Sequence, residues 1–321
     1  MISVVIPTYN SSKFMPDLLE SIVKQAVDNM EVIIVDDCSK DATVEIAKKY
    51  PVRIIQMEKN GGPARARNRG VKEAKGDIIF FLDSDVIVLD GTVREVKDYF
   101  EKNPSSSCVI GVCATEPLNK GFVPTYMAMF EYIHLMNAKD GKVSVFAPRC
   151  GAIKKELFLR VGGYDESYKG ADVEDFELAR RINREDSIFL DPKMLVRHNF
   201  VNNFNEAVRN YFKRAVMWIH LFLKDRQLDN AGPTSPSNGI AAVCSFLSFF
   251  SLFLIPCVPV VKYVFGTLVM IFLISNLKWW NFMRREAGLF FAVRALFLNY
   301  LLGIDIIVAT VYGLVSYPLK K

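Results

Sequence analysis

Between residues 3 and 82 the chain switches repeatedly from short β-branched runs to helical spacing and back. No other feature restricts the fold as much. "SVVIP" (3–7) and "EVIIVDD" (31–37) have strand length and end in polar turn residues. Between them, "SSKFMPDLLESIVKQ" puts Phe14, Leu18, Leu19 and Ile22 at helical spacing after a serine start signal. "DATVEIAKKY" then reads as helix, "VRIIQM" as strand, "GPARARNRGVKEAKG" as helix and "DIIFFLD" as strand. This order predicts an α/β fold with a doubly wound sheet, in which ligands bind beyond the carboxyl ends of the strands. Each of those ends is polar: Pro7-Thr8-Tyr9-Asn10, Asp36-Asp37, Glu58 to Gly62, and Asp83 with Asp85. The last two acids flank Ser84 at the end of an apolar run. If the strand continues through them, residues i and i+2 share a face and both carboxylates aim at one spot, where they repel unless a cation sits between them.

Further along, residues 92–103 read as a helix, and 104–150 lose periodicity among Pro104, Pro117, Pro124 and Pro148. Order returns with a helix from about Lys154 to a left-handed cap at Gly162-Gly163, and a second helix starting near Asp172. Residues 205–224 carry an apolar stripe (Val208, Phe212, Ala215, Ile219, Phe222) beside Arg209, Lys213, Arg214 and Lys224. That pattern suits a basic amphipathic helix on a membrane surface, and equally a surface helix packed on the sheet.

The apolar residues concentrate at the other end of the chain. Residues 239–277 hold one charge, Lys262, and are long enough for two membrane spans turned at Pro256 and Pro259. "KWWNFMRRE" (278–286) has the composition of a membrane interface, and its cations favour the cytoplasmic side. Residues 287–317 are apolar but interrupted by Arg294 and Asp305, which fits an interfacial helix plus one span or a re-entrant pair. The expected divisions are a soluble domain over 1–200, an amphipathic helix and linker over 201–236, and spans near 239–258, 260–277 and 295–317. The chain opens on a strand without a signal peptide, so the soluble domain is expected in the cytoplasm, held on the cell membrane by several spans. Six cysteines without paired or metal-type spacing fit a reducing compartment.

Five segments in order, "VVIPTYN", "IIVDDCSKD", "NGGPARARNRG", "FFLDSD" and "GGYDE…VEDFELARRI", resemble the inverting family 2 glycosyltransferases of GT-A fold, a Rossmann-like mixed sheet. The resemblance covers residues 1 to about 200. It implies that Asp83 and Asp85 form the DxD motif holding Mg2+ or Mn2+ on the diphosphate of a nucleotide-sugar, with Asp85 the direct ligand. It implies that Asp37 contacts the nucleobase, that Thr8 and the backbone of Pro7 and Tyr9 frame base and ribose, and that Arg67 reaches the donor. The aspartate of the ED motif, Asp175, is then the catalytic base, while Glu174 and Glu177 offset the helix dipole. His198 stands where some members place a further metal ligand. In "YFKRA" only Arg214 matches the QxxRW motif of processive synthases; it could touch the diphosphate, but processive polymerisation is not indicated.

The expected function is transfer of one sugar from a UDP-, GDP- or dTDP-sugar to a hydroxyl of a lipid-linked or envelope glycan acceptor. The alternatives are a polyprenyl-phosphate glycosyltransferase and, from another class, a non-catalytic membrane scaffold. A scaffold has no need of acids at 37, 83, 85 and 175. No GxxxxGK loop is present, which argues against an ATPase. Nucleic-acid binding is disfavoured: the net charge is only +5, and the cations cluster beside the apolar segments.

Overall fold

The computed structural model describes residues 1–25, 27–168, 170, 173–227 and 235–317. The chain forms two compact units, Met1–Asn119 with Leu135–Phe200, and Lys120–His134 with Val201–Lys321.

The first unit is built on nine strands among the described residues: β1 (Ile2–Thr8), β2 (Met30–Asp36), β3 (Arg53–Gln56), β4 (Ile78–Phe81), β5 (Val86–Val88), β6 (Cys108–Cys113), β7 (Lys142–Val143), β8 (Gly151–Lys154) and β9 (Ile188–His198). Their order in the sheet is β3-β2-β1-β4-β8-β6-β9-β5, with β7 on β9. The first four strands are parallel, as the alternation predicted. β8 then runs antiparallel between β4 and β6, so the sheet is mixed, as expected. The helices of this unit are α1 (Met15–Val23), α2 (Thr43–Ala47), α3 (Pro63–Glu73) and α4 (Thr92–Lys102); after α5 (Phe122–Met136), most of which belongs to the second unit, come α6 (Lys155–Arg160) and α7 (Glu174–Glu185). The left-handed cap predicted at Gly162-Gly163 is present, with φ of 88° and 67°. The helix start predicted near Asp172 lies outside the described residues.

Because β2 and β3 extend the sheet on one side of β1 and β4 on the other, the chain reverses its winding between β1 and β4. A doubly wound sheet opens its crevice at such a point. Pro7 belongs to this edge. β1 pairs with β2 as far as Thr8 but with β4 only as far as Val5. The carbonyl of Val5 accepts from Leu82 and that of Thr8 from Asp37. Strand alternation therefore turns the Pro7 nitrogen toward β4, beyond its last paired residue, where a missing N–H costs no ladder bond.

One expectation fails here. The apolar run does not carry its strand through the two acids: β4 ends at Phe81, residues 82–85 turn, and β5 starts at Val86. The same-face argument for Asp83 and Asp85 therefore does not apply. The turn arises because β5 leaves β4 to pair antiparallel with β9.

In the second unit, α8 (Phe204–Asp225), α9 (Pro236–Leu254), α10 (Val261–Ser275) and α11 (Leu277–Ser316) join α5. α9 and α11 are long and apolar enough to cross a membrane, and α10 is a shorter apolar helix. The turn expected at Pro256 and Pro259 falls between α9 and α10. The last block holds one long helical run: α11 is broken once, at Gly288 (φ 85°, ψ 169°), and then stays helical to Ser316. Exposed large hydrophobics fall mainly between Ile240 and Val315, with Phe290 77% and Val315 69% exposed.

Two side-chain arrangements in this unit were not read from composition. Trp279 is buried with Tyr126, Phe130 and Met283, because the face it shares with Met283 is the one turned to the core. Of the stripe proposed for 205–224, Ile219 is buried, Val208 packs against the helical core and Phe212 meets the Tyr312 ring. Ala207, Val216 and Leu221, outside that stripe, are buried as well. α11 comes so close at Gly313 that a Cβ there would lie 2.2 Å from Ile219 Cγ2. α8 thus packs on α11, a partner the sequence reading did not name.

In the first unit, α3 also lies tight against its neighbour. A Cβ on Gly70 would sit 2.3 Å from Val5 Cγ1 and 3.1 Å from Val35 Cγ2, both on fully buried strand residues. Gly70→Ala is expected to destabilise the domain by about 1–3 kcal/mol through overpacking, which outweighs the ~0.5–1 kcal/mol that alanine gains in a helix. Thermal unfolding followed by circular dichroism checks this; an unchanged midpoint would count against the tight α3 packing.

Candidate functional site

The polar residues past the ends of β1, β2 and β4 are held in place by a small set of bonds. Asp37, just beyond β2, is 3% exposed. Its carboxylate accepts from the amides of Gly61 at 2.9 Å and Gly62 at 2.7 Å, and its carbonyl accepts from Asn60 Nδ2 at 3.0 Å. These bonds fold the "NGG" loop over the end of β2 and aim α3 from there. Gly62 has φ 86° and ψ 170°, a conformation that excludes a side chain. Asp36 serves the next turn: its Oδ2 accepts from the Ser39 amide at 3.2 Å. Thr8 is buried, with its hydroxyl donating to the Val35 carbonyl at 3.5 Å, and Tyr9 is half exposed.

Arg67, on the second turn of α3, is 4% exposed and is the centre of the arrangement. Its Nη2 donates to Asp83 Oδ1 at 2.7 Å and its Nη1 to Glu174 Oε1 at 3.3 Å. The guanidinium lies over the Tyr164 ring, 5.2 Å from the centroid. Burial opposes the charge on Arg67, but Asp83, Tyr164 and Glu174 outweigh it and hold the guanidinium protonated beyond its ordinary range. One residue on, Asn68 clasps the backbone of Tyr164: its Oδ1 accepts from the Tyr164 amide at 2.9 Å and its Nδ2 donates to the Tyr164 carbonyl at 2.8 Å. Tyr164 in turn stacks edge-on to Phe81 at the end of β4. α3 therefore fixes both the turn after β4 and the backbone at Tyr164.

Asp85 takes a different partner from Asp83. β5 and β9 pair so that His198 stands opposite Val86, which brings its Nε2 to 3.4 Å from Asp85 Oδ1. Burial works against the Asp85 charge, yet the His198 imidazole and, more weakly, Arg149 hold the carboxyl below its usual range. His198 Nδ1 is buried without a hydrogen-bond partner. The repulsion expected between the two acids is thus relieved separately, by Arg67 on one and His198 on the other. Among the described residues no three potential ligands cluster. Asp85 and His198 supply two, which suits a divalent cation that takes its remaining oxygens from a phosphate group and water.

Asp175 opens α7 beside Glu174, 8% exposed, and its Oδ1 accepts from the Phe176 amide at 3.0 Å. Burial keeps the Tyr164 hydroxyl protonated well above its usual range; Arg67 opposes this, while the nearby charges of Glu174, Asp175 and Asp83 add to it. Both acids of the "VED" segment therefore stand near the residues after β4. Arg214 lies on α8 of the other unit. Sequence reasoning missed three contributors. Glu174 was assigned to the helix dipole but is the second partner of Arg67. Asn68 and Tyr164 were not singled out, although each adjoins a residue or motif that was.

Residues 3–162 match the model of the family described as Glycosyl transferase family 2. An uncharacterized glycosyltransferase of Haemophilus influenzae is 35% identical over 196 residues, covering 58% of this chain and 63% of its own. The poly(ribitol-phosphate) beta-N-acetylglucosaminyltransferase TarS of Staphylococcus aureus is 37% identical over 115 residues, covering 34% of this chain and 20% of its own. A crystal structure of residues 1–349 of TarS with UDP-GlcNAc has a TM-score of 0.51 at 24% identity, covering 67% of this chain and 66% of that one. The mannosyltransferase PcManGT of Pyrobaculum calidifontis, solved with GDP-Man and Mn2+, has a TM-score of 0.62 at 17% identity, covering 100% of this chain and 87% of that one. The two solved structures share the fold. The chain spans less than two thirds of the length of these sequence relatives.

Arg67 and Glu174 both have side chains 5% exposed, so removing the guanidinium leaves buried carboxylate charge without this counter-charge. Arg67→Met is expected to cost about 3–5 kcal/mol of stability, and Arg67→Met with Glu174→Gln to recover part of that loss. Equal losses in the single and double variants, measured by denaturant unfolding, would show that the pair is not coupled.

Proposed function

This chain belongs to the family 2 glycosyltransferases of GT-A fold, and from that membership we propose that it transfers a sugar, with inversion, from a nucleotide-sugar to a hydroxyl of a lipid-linked or envelope glycan. The observation that carries the reading is Arg67, which joins Asp83 on the nucleotide-binding edge to Glu174, the neighbour of Asp175. A donor edge and a buried carboxylate held together at the crevice of a doubly wound sheet are what a displacement at an anomeric carbon requires.

In this reading the nucleoside lies along the ends of β1 and β2, framed by Pro7, Thr8, Tyr9 and the loop that Asp37 holds. Arg67 and Asp83 orient the diphosphate end. Asp85 and His198 would hold Mg2+ or Mn2+, which would offset negative charge on the departing diphosphate. The Asp175 carboxylate accepts the proton of the acceptor hydroxyl as its oxygen bonds to the anomeric carbon and the bond from that carbon to the diphosphate breaks. The TarS and PcManGT complexes, with UDP-GlcNAc and with GDP-Man and Mn2+, support a nucleotide-sugar donor and a divalent ion here. TarS, by its name a beta-N-acetylglucosaminyltransferase of poly(ribitol-phosphate), supports a glycan or polyol-phosphate acceptor of the envelope. The apolar, outward-facing surface of α9, α10 and α11 supports attachment to the cell membrane, with the catalytic unit in the cytoplasm.

A panel of nucleotide-sugars offered to the purified full chain with Mn2+ or Mg2+ tests the activity. Turnover of one donor is expected, with loss on chelation by EDTA and a drop of about 10²-fold or more in Asp85→Ala. Asp175→Asn is expected to keep nucleotide binding, read by calorimetry with that donor's nucleotide, and to lose about 10²–10⁴-fold in transfer. Full activity in Asp175→Asn would shift the acceptor to a polyprenyl phosphate, which arrives already ionised. If no donor turns over and neither nucleotide nor metal binds, the non-catalytic scaffold is the better account.

A further inference from the structure

The start of α11 carries a charge pattern that the transfer reaction does not use. Before the break at Gly288, residues 277–287 bury Trp279 and Met283 against the helical core. The opposite face exposes Leu277, Lys278, Arg284 and Arg285. None of these three cations makes an ion pair among the described residues. Surface cations of the first unit commonly do: Arg53 pairs with Glu73, Arg160 with Glu156, Arg181 with Glu177 and Arg197 with Glu116. Glu286 is the only acid in the segment.

Directly after the cations comes the elbow. Gly288 occupies a backbone region open essentially to glycine alone, and no atom lies within 4 Å of where its Cβ would be. Beyond it, Leu289, Phe290, Val293 and Phe297 are 61%, 77%, 53% and 65% exposed. A row of unpaired cations followed at once by an outward face that is apolar apart from Arg294, itself laid over the Phe122 and Phe290 rings, matches one kind of surface, in which negative charge overlies hydrocarbon. Nucleic acid supplies the charge without the hydrocarbon, and a neutral bilayer the reverse.

We propose that the outer face of residues 277–287 binds the anionic headgroups of the bilayer into which the apolar helices insert, through Lys278, Arg284 and Arg285. This rests on the membrane attachment proposed above. Each cation at an anionic surface favours binding by roughly fivefold, so three favour it by on the order of a hundredfold.

The test uses the full chain reconstituted into bilayers of phosphatidylcholine mixed with phosphatidylglycerol, with retained lipids counted by native mass spectrometry. Wild-type protein is expected to retain phosphatidylglycerol at least tenfold over its share of the mixture, with enrichment falling as salt is raised. Lys278→Gln with Arg284→Gln and Arg285→Gln is expected to bring retention to parity. A control changes Lys48, Lys49 and Lys72 to Gln, exposed positions in the first unit, and is expected to leave the enrichment intact. Parity in the wild type, or an equal loss in the control, overturns the proposal. Membrane attachment fails separately, if the chain stays monodisperse without detergent or lipid.

Discussion

One buried guanidinium holds the two halves of the site together. Arg67 is surrounded by the Tyr164 ring, Asp83 and Glu174, and none of these contacts is local in sequence. A cation this deep is tolerable only if its partners are carboxylates, and two carboxylates this close are tolerable only with the cation between them. The three charges thus specify one another. The geometry of α3, the turn after β4 and the first turn of α7 follows from satisfying them, with Asn68 zipping the Tyr164 backbone to the same helix.

The parallel half of the sheet was legible because its signal is local. Short β-branched runs and helical spacing can be read within a dozen residues, and β1, α1, β2, α2, β3, α3 and β4 appear in the order read. Residues 104–150 were not legible in the same way. Their strands, β6 and β7, and β8 just after them, are short and pair with partners far along the chain, mostly antiparallel, so no fixed alternation marks them. β9 spans eleven residues and meets three other strands, yet its "DPKM" interior breaks the period that would have marked it.

At the site, residue types were easier to read than directions. Asp83, Asp85, Arg67 and His198 all stand at the crevice edge, but the extended geometry assumed for the two acids gave way to a turn. The cause lies more than a hundred residues away, in the strand that carries His198 and captures β5. Glu174 shows the same limit from the other side. An acid in a first helical turn has a sufficient local explanation in the dipole. Only tertiary contact distinguishes that role from pairing with a buried arginine.

The second unit shows how far composition alone reaches. Tryptophans beside cations suggested an interface, and the structure separates them: Trp279 turns into the core while the cations turn out. Helical periodicity accounts for this, because Trp279 and Met283 are four residues apart and share a face that excludes Lys278 and Arg285. The buried side of the unit is also polar in places. Tyr126 donates to Asn299, Asn299 to Asn276, and Asn276 to the Phe272 carbonyl, a chain linking α5, α10 and α11. Apolar contact alone discriminates poorly among helices whose outer faces are just as apolar. A connected polar chain does discriminate, because each of its groups is costly to bury without the next. The same helices can then offer hydrocarbon outward and keep one packing arrangement within.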